Sequence, residues 1–386
     1  MTAVTTGRER VRVRLPVWFW AFVGHEVLVL AGILVPMTPP SASVLRSQMA
    51  FASESHFLFR YDSLWFQEIA LHGYLIPGQG LRATVFFPLI PLILHVTGAA
   101  VGLVVQQAAL ATVFWLLHRV LARFDVLGTA RDRVLWLFAV NPAAVYFSSL
   151  YAETWMMLGM LAGMELAFAR RYAGAAAVGF LGSLTEAPAV LLGLIPLVLV
   201  IWRGWTGARR DWPGLILWGL GIGAGVGAYA IYLDQAVGHP LAFMTEQGRS
   251  FWHGVFQTPW AGWLGPFLAS GRAEFLRDPP AFLTLFLAAS LMLAGVVAET
   301  ARLARQQRDW SFALALYAAA MTVIAFSFGT RGFVYHSTLR FLGPVFPAYM
   351  GLSVRTPRWL YRTVAAVFVL IAFRGSALFA HGWFFQ

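Results

Sequence analysis

Apolar runs separated by short polar turns fill most of this chain. The first covers residues 15–37, and others lie near 98–121, 133–148, 151–169, 173–186, 188–203, 213–235, 281–302, 310–328, 339–355 and 359–379. Most approach the ~20 residues that a helix needs to cross the hydrocarbon of a bilayer. The pattern predicts an all-α polytopic membrane protein, a bundle of about eleven spanning helices forming a single transmembrane domain over residues 1–386. One shorter apolar piece, Phe86-Phe87-Pro88-Leu89-Ile90-Pro91, is broken by two prolines. The stretch 86–95 is therefore expected to dip into the membrane or lie on it without crossing. Residues 38–97 then form a large first external loop, and residues 237–280 a second long one.

The sign of the charges orients this bundle. Arg8, Arg10, Arg12 and Arg14 precede the first run, which places the N-terminus in the cytoplasm. A signal peptide is the competing reading, with Ser41-Ala42-Ser43 imitating a cleavage site, but the run exceeds the ~7–15 residues of such a segment. Clustered arginines fill the turns 119–133, 170–171, 203–210, 302–308 and 355–362, and all five fall on the cytoplasmic side if 86–95 does not cross. The C-terminus is then external. On that same face lie Asp62, Tyr151-Ala152-Glu153, Ser183-Leu184-Thr185-Glu186, the loop 238–280 and the segment 331–340.

Composition narrows the chemistry. Hydrophobic residues make up 59%, charged residues 12%, and mean hydropathy is +0.68, which excludes a set of soluble domains. A net charge of +11 would suggest nucleic acid as partner of a soluble chain; here the charge sits in membrane turns, and no nucleic acid is expected. All 28 basic side chains are Arg, and there is no Cys, hence neither disulfide nor thiolate metal site. No Asp-x-Asp or Walker loop occurs, and no metal or organic cofactor is expected. His25-Glu26 begins an HExxH motif, but Val29 stands where the second His belongs, so a polar pair inside the bundle is expected instead. Gly219, Gly223 and Gly227, four apart in one apolar run, are expected to make a close helix-packing face. Glu165 is expected to pair near Arg170. Most of the sixteen Trp suit interfacial anchors, with Trp65 and Trp252 placed to flank a sugar or prenyl chain.

The segment Arg60-Tyr61-Asp62-Ser63-Leu64-Trp65-Phe66-Gln67-Glu68-Ile69-Ala70-Leu71-His72-Gly73-Tyr74 is too polar to span and too apolar to float free, as an interfacial helix is. Asp62-Ser63 suits its N-cap and Gly73 its C′ position; a capping carboxylate at a helix start can still face a cleft. Glu68 reads either as a site residue or as a solvated charge.

These residues also carry a resemblance. Arg60-Tyr61-Asp62-Ser63-x-Trp65-Phe66-x-x-Ile69-Ala70-x-x-Gly73-Tyr74 followed by Phe86-Phe87-Pro88-x-x-Pro91, then Asn141-Pro142-Ala143-x-x-Tyr146-Phe147-x-x-x-Tyr151-x-Glu153, then Gly238-His239-Pro240-Leu241-Ala242-Phe243 with Gln247 and Trp252, together resemble the GPI mannosyltransferase 2 (PIG-V-like) family, with a weaker echo at Arg340-Phe341. The resemblance implies a bacterial member of the GT-C glycosyltransferases, in the plasma membrane, that uses a polyprenyl-phosphate sugar, mannose in the first instance. It implies a glycolipid or lipid-linked acceptor and a reaction on the external face, with Asp62 as the catalytic residue. Such a transfer needs one carboxylate base for the acceptor hydroxyl and positive charge for the leaving phosphate. For the latter Arg340 comes first, then Arg331 and Arg249, with His336 and Arg60 behind. Tyr151 and Glu153 are candidates for binding the sugar. Glu186 departs from the family, whose segment at 183–185 usually continues with Arg; an ionisable group at membrane level is nonetheless functional by default. Two other classes stay open, a lipid-linked sugar flippase and a non-catalytic glycolipid-binding protein.

Overall fold

The computed structural model describes residues 15–38, 57–249, 251–268, 272, 276, 278–330, 335 and 337–383. The N-terminal arginines, Arg331 and His336 lie outside the described residues. Helices α1 (Val17–Ile33), α2 (Asp62–His72), α3 (Leu89–Arg123), α4 (Gly128–Ala139), α5 (Ala144–Ser148), α6 (Ala152–Phe168) and α7 (Tyr172–Ser183) make the first half. Helices α8 (Leu194–Trp205), α9 (Trp212–Val237), α10 (Pro279–Arg305), α11 (Asp309–Ser327), α12 (Thr338–Leu342), α13 (Phe346–Gly351) and α14 (Arg358–Ala380) make the second. Among the described residues six helical stretches are long and apolar enough to cross a bilayer: Leu89–Arg123, Ala187–Trp205, Arg209–Val237, Pro279–Arg305, Asp309–Ser327 and Arg358–Ala380. The protein is an all-α, membrane-integral chain. One small exception joins two loops, an antiparallel pair β1 (Gly254–Phe256) and β2 (Phe328–Thr330) in which Val255 opposes Gly329.

Prolines and glycines divide the apolar runs more often than hydropathy alone suggests. The run expected over 133–148 is two helices, because Pro142 lacks an N–H to continue the ladder and disfavours helical geometry at Asn141 before it. The run at 339–355 likewise splits at Gly343-Pro344 into α12 and α13. Helix α3 is kinked at Gly98, whose φ of 73° and ψ of 169° are not helical. The nine residues before it, 89–97, rise only ~13 Å, short of the ~30 Å of a bilayer's hydrocarbon.

Glycine packing is offset from the expected face. A Cβ at Gly223 or Gly227 meets nothing within 4 Å, and one at Gly219 touches only Pro196 at 3.7 Å. Gly221 and Gly225 make the close approach instead, against the backbone of Ala176 and of Phe180 and the Ser183 hydroxyl in α7. The spacing of four is as expected, but the phase is shifted by two residues. A helix apolar on all sides gives periodicity no reference from which to fix that phase.

Two polar ends result. At one, all five arginine-rich turns are tied together: Arg119 and Arg123 reach Glu165 at 3.2 and 3.4 Å, Arg308 reaches Asp125 at 2.6 Å, and Arg203 bridges Asp211 and Asp309 at 2.8 and 2.7 Å. Arg133 closes the ring with a 3.0 Å hydrogen bond to the Thr356 carbonyl. Glu165 thus pairs with α3 and not with Arg170, which turns away from α6 with φ 56° and meets Asp211 at 3.6 Å. The other end gathers carboxylates.

Candidate functional site: a carboxylate cluster around Arg340

The cluster is built on a break. Asn141 ends α4 by turning its side chain onto its own backbone: its Oδ1 accepts from Ala143 N at 2.9 Å and its Nδ2 donates to the Phe138 carbonyl at 2.8 Å. The link from α5 to α6 leaves carbonyls without helical partners, and polar side chains of α3 satisfy them. Gln106 donates to the Phe147 carbonyl at 3.0 Å and Gln107 to the Ser148 carbonyl at 2.8 Å. From α1, the Glu26 carboxylate accepts from the Ser148 hydroxyl at 2.9 Å, and fully buried His25 holds that hydroxyl and the Ala139 carbonyl. The polar pair expected at His25-Glu26 is therefore a brace for this link.

The braced link presents Tyr151 and, in the first turn of α6, Glu153. Helix α2 docks on it through Ser63, which donates to the Leu150 carbonyl at 3.1 Å, and through Asp62, whose backbone N–H donates to the Tyr151 hydroxyl at 3.3 Å. Asp62 is the first helical residue, not the cap. The cap position is Tyr61, in the left-handed region at φ 52°, a conformation non-glycine residues adopt at a cost. The Asp62 carboxylate accepts instead from another element. Gly73 ends the helix as expected, with φ 71° and its N–H on the Ile69 carbonyl.

That element is α12. The guanidinium of Arg340 donates through Nη1 to Asp62 Oδ2 and through Nε to Glu153 Oε1, in two short charge-assisted bonds. Its Nη2 lies 3.9 Å from Glu186 Oε2, and its plane stands 4.8 Å above the Tyr151 ring. The Glu153 side chain is fully buried, Glu186 and Arg340 are 10% and 13% exposed, and Asp62 is the most open at 19%. One guanidinium thus serves three carboxylates. Glu153 Oε2 and Glu186 Oε1 are buried with no hydrogen-bond partner. Among the described residues no three acidic, His or Cys side chains are set to hold a metal ion; the guanidinium occupies the middle of the cluster.

Of the residues singled out in sequence, Asp62, Tyr151, Glu153, Glu186 and Arg340 come together. The side chains of the other described ones bond or pack elsewhere, although the Arg60 carbonyl accepts from the Tyr151 hydroxyl at 3.4 Å. Arg60 donates to the Ala380 carbonyl at 2.8 Å, tying α2 to the end of α14, and burial lowers its pKa. Glu68 pairs with His72 at 3.6 Å. Arg249 pairs with Glu246 at 3.0 Å. Trp65 and Trp252 pack on each other, ring centroids 5.4 Å apart, inside an aromatic core with Phe86 and Phe251, so their faces are taken up by neighbours. Gln247 sits half-buried in a 3₁₀ turn, Glu246–Gly248, outside the cluster's bonds. Sequence reading missed Gln106 and Gln107; two adjacent amides in an otherwise apolar run were the available signal.

Comparison with models of known protein families finds no match, and comparison with curated proteins finds no similar sequence.

Proposed function

We propose that this chain is a membrane glycosyltransferase of the GT-C type. It transfers a hexose, mannose in the first instance, from a polyprenyl-phosphate donor to a hydroxyl of a lipid-linked or glycolipid acceptor, with inversion, at the external face of a bacterial plasma membrane. In this reading the broken pairs α4–α5 and α12–α13 and the short helices α1, α6 and α7 each count as one crossing. That gives eleven, with the N-terminus cytoplasmic and the C-terminus external. The observation that carries the reading is the junction of Asp62, Glu153 and Arg340. Three segments far apart in sequence, each singled out by the resemblance, meet at the end opposite the arginine-rich turns.

The chemistry follows from the arrangement. Arg340 fixes one oxygen of Asp62, which leaves the other for the acceptor. The acceptor oxygen bonds to the sugar's anomeric carbon from the face opposite the phosphate while its proton passes to Asp62. The electrons of the breaking carbon–oxygen bond leave with the lipid phosphate, which is a good leaving group and needs no separate acid, unlike the paired carboxylates of glycoside hydrolysis. Among the described residues Arg340 is the only guanidinium in the cluster, and Glu186 stands where the resemblance implies Arg.

That charge balance favours a second reading, a glycolipid-binding protein without catalysis, in which the three carboxylates saturate Arg340. A flippase is less well supported, because the described ionisable cluster lies at one end of the bundle and not at its middle. Purified protein in lipid nanodiscs, given polyprenyl-phosphate hexoses and a membrane glycolipid extract, separates these readings. Lipid products heavier by one hexose support transfer; retained glycolipid without product supports binding alone.

A further inference from the structure

A cavity lies at the opposite end from the carboxylate cluster, among the arginine-rich turns. It encloses about 460 Å³ between the ends of α3, α6 and α8 and the start of α11. Its walls hold aromatic rings, guanidiniums, the Thr206 and Ser311 hydroxyls and one carboxylate, Asp309, which Arg203 pairs at 2.7 Å. Phe124, Phe168, Trp202 and Trp310 supply aromatic surface, and Arg123, Arg203 and Arg308 supply guanidiniums. Arg203 is committed to Asp211 and Asp309 and is nearly buried. Arg123 and Arg308 are not committed in the same way. They are 44% and 59% exposed, and each has one carboxylate partner, Glu165 shared with Arg119 or the exposed Asp125. Ion pairs this exposed contribute little and exchange readily. The five arginine-rich turns carry fifteen arginines against two carboxylates, Asp125 and Asp132, with Glu165, Asp211, Glu299 and Asp309 flanking them, so an anion entering the cavity meets an excess of positive charge.

The aromatic wall continues as an apolar surface. Trp202 packs on Phe312, ring centroids 5.2 Å apart. From there exposed apolar positions run along one face of α11 at Phe312 and Leu316, and along one face of α8 at Leu197, Ile201 and Trp205. Guanidiniums at the end of a groove between hydrophobic helices fit a phosphate ester that carries an apolar tail. A basic pocket between helices at the membrane surface binds anionic headgroups on the same principle.

We propose that this cavity binds the phosphate of an anionic phospholipid, with Arg123 and Arg308 as its ligands and the α8–α11 surface holding an acyl chain. The site is separate from the carboxylate cluster and does not depend on the reading given to that cluster. Native mass spectrometry of the detergent-purified protein tests it with phosphatidylglycerol, with phosphatidylcholine of the same chains, and with glycerol phosphate. The expected result is retained phosphatidylglycerol adducts, about tenfold or more weaker in Arg123→Gln/Arg308→Gln, and few phosphatidylcholine adducts. Equal phosphatidylglycerol binding by the double variant, or equal binding of the two lipids, overturns the proposal. Full competition by glycerol phosphate reassigns the cavity to a soluble phosphate compound and overturns the lipid assignment. If the double variant does not purify as a folded monodisperse protein, Arg308→Gln alone decides, because its side chain is the more exposed.

Discussion

Replacing Arg340 by Met keeps most of the side-chain length and removes the one charge that the cluster is built around. Glu153, fully buried, then loses its only ion-pair partner among the described residues, and Asp62 and Glu186 lose the same guanidinium. Removing one partner of a buried ion pair costs about 3–5 kcal/mol, because the other charge stays buried. The stacking of the guanidinium on Tyr151 at 4.8 Å adds about 1 kcal/mol. Equilibrium unfolding in mixed micelles measures the loss. The decisive comparison is the double variant Glu153→Gln/Arg340→Met, which removes the stranded charge with its partner. It should recover part of the loss, with a coupling of about 1–3 kcal/mol between the two sites. An Arg340→Met protein within about 1 kcal/mol of the parent, or a double variant that only sums the single effects, refutes the claim that Arg340 holds the cluster together.

Three further outcomes check other parts of the account. Gly221→Val should weaken the α7–α9 packing by several kcal/mol, because the new Cβ meets the Ala176 backbone, whereas Gly223→Ala, with nothing within 4 Å, should unfold like the parent in the same micelles. Ser148→Ala leaves His25 and Glu26 short of a shared partner and should cost about 1–3 kcal/mol, read by unfolding; an unchanged transition removes the bracing role given to that network. Glu186→Gln takes one like charge from the cluster while leaving the two short Arg340 bonds in place, so it should not lower stability, and a loss above about 2 kcal/mol shows that Glu186 is an essential partner of Arg340.

How far the sequence could be read depended on the kind of signal each feature left. Asp62, Glu153, Glu186 and Arg340 stand out because charges are costly at membrane level, and the positive-inside pattern was enough to set them at one end. The arginine turns were legible for the same reason, but their pairing was not: Glu165 is five residues from Arg170 and pairs with α3, since only the fold decides which turn lies beside which. Apolar helical runs were legible from hydropathy, and their interruptions at Pro142, Pro344 and Gly98 were underestimated because the flanking residues stay apolar through each break. Trp65 and Trp252 were expected to flank a ligand. Aromatic residues fill cores and line sites alike, and here they fill a core. The capping role offered for Asp62-Ser63 failed because Tyr61 takes the cap position, which leaves the carboxylate to Arg340.

The most direct measurement is hexose transfer by Asp62→Asn, an isosteric change at the most open carboxylate of the cluster. Parent and variant, matched for monodispersity and unfolding transition, are given a labelled polyprenyl-phosphate mannose and the acceptor fraction that the parent uses. Product forms with the parent and falls by at least about a hundredfold with the variant if Asp62 is the base. Undiminished transfer by a folded Asp62→Asn protein contradicts the assignment, and the absence of transfer by the parent with every polyprenyl-phosphate hexose contradicts the glycosyltransferase reading itself.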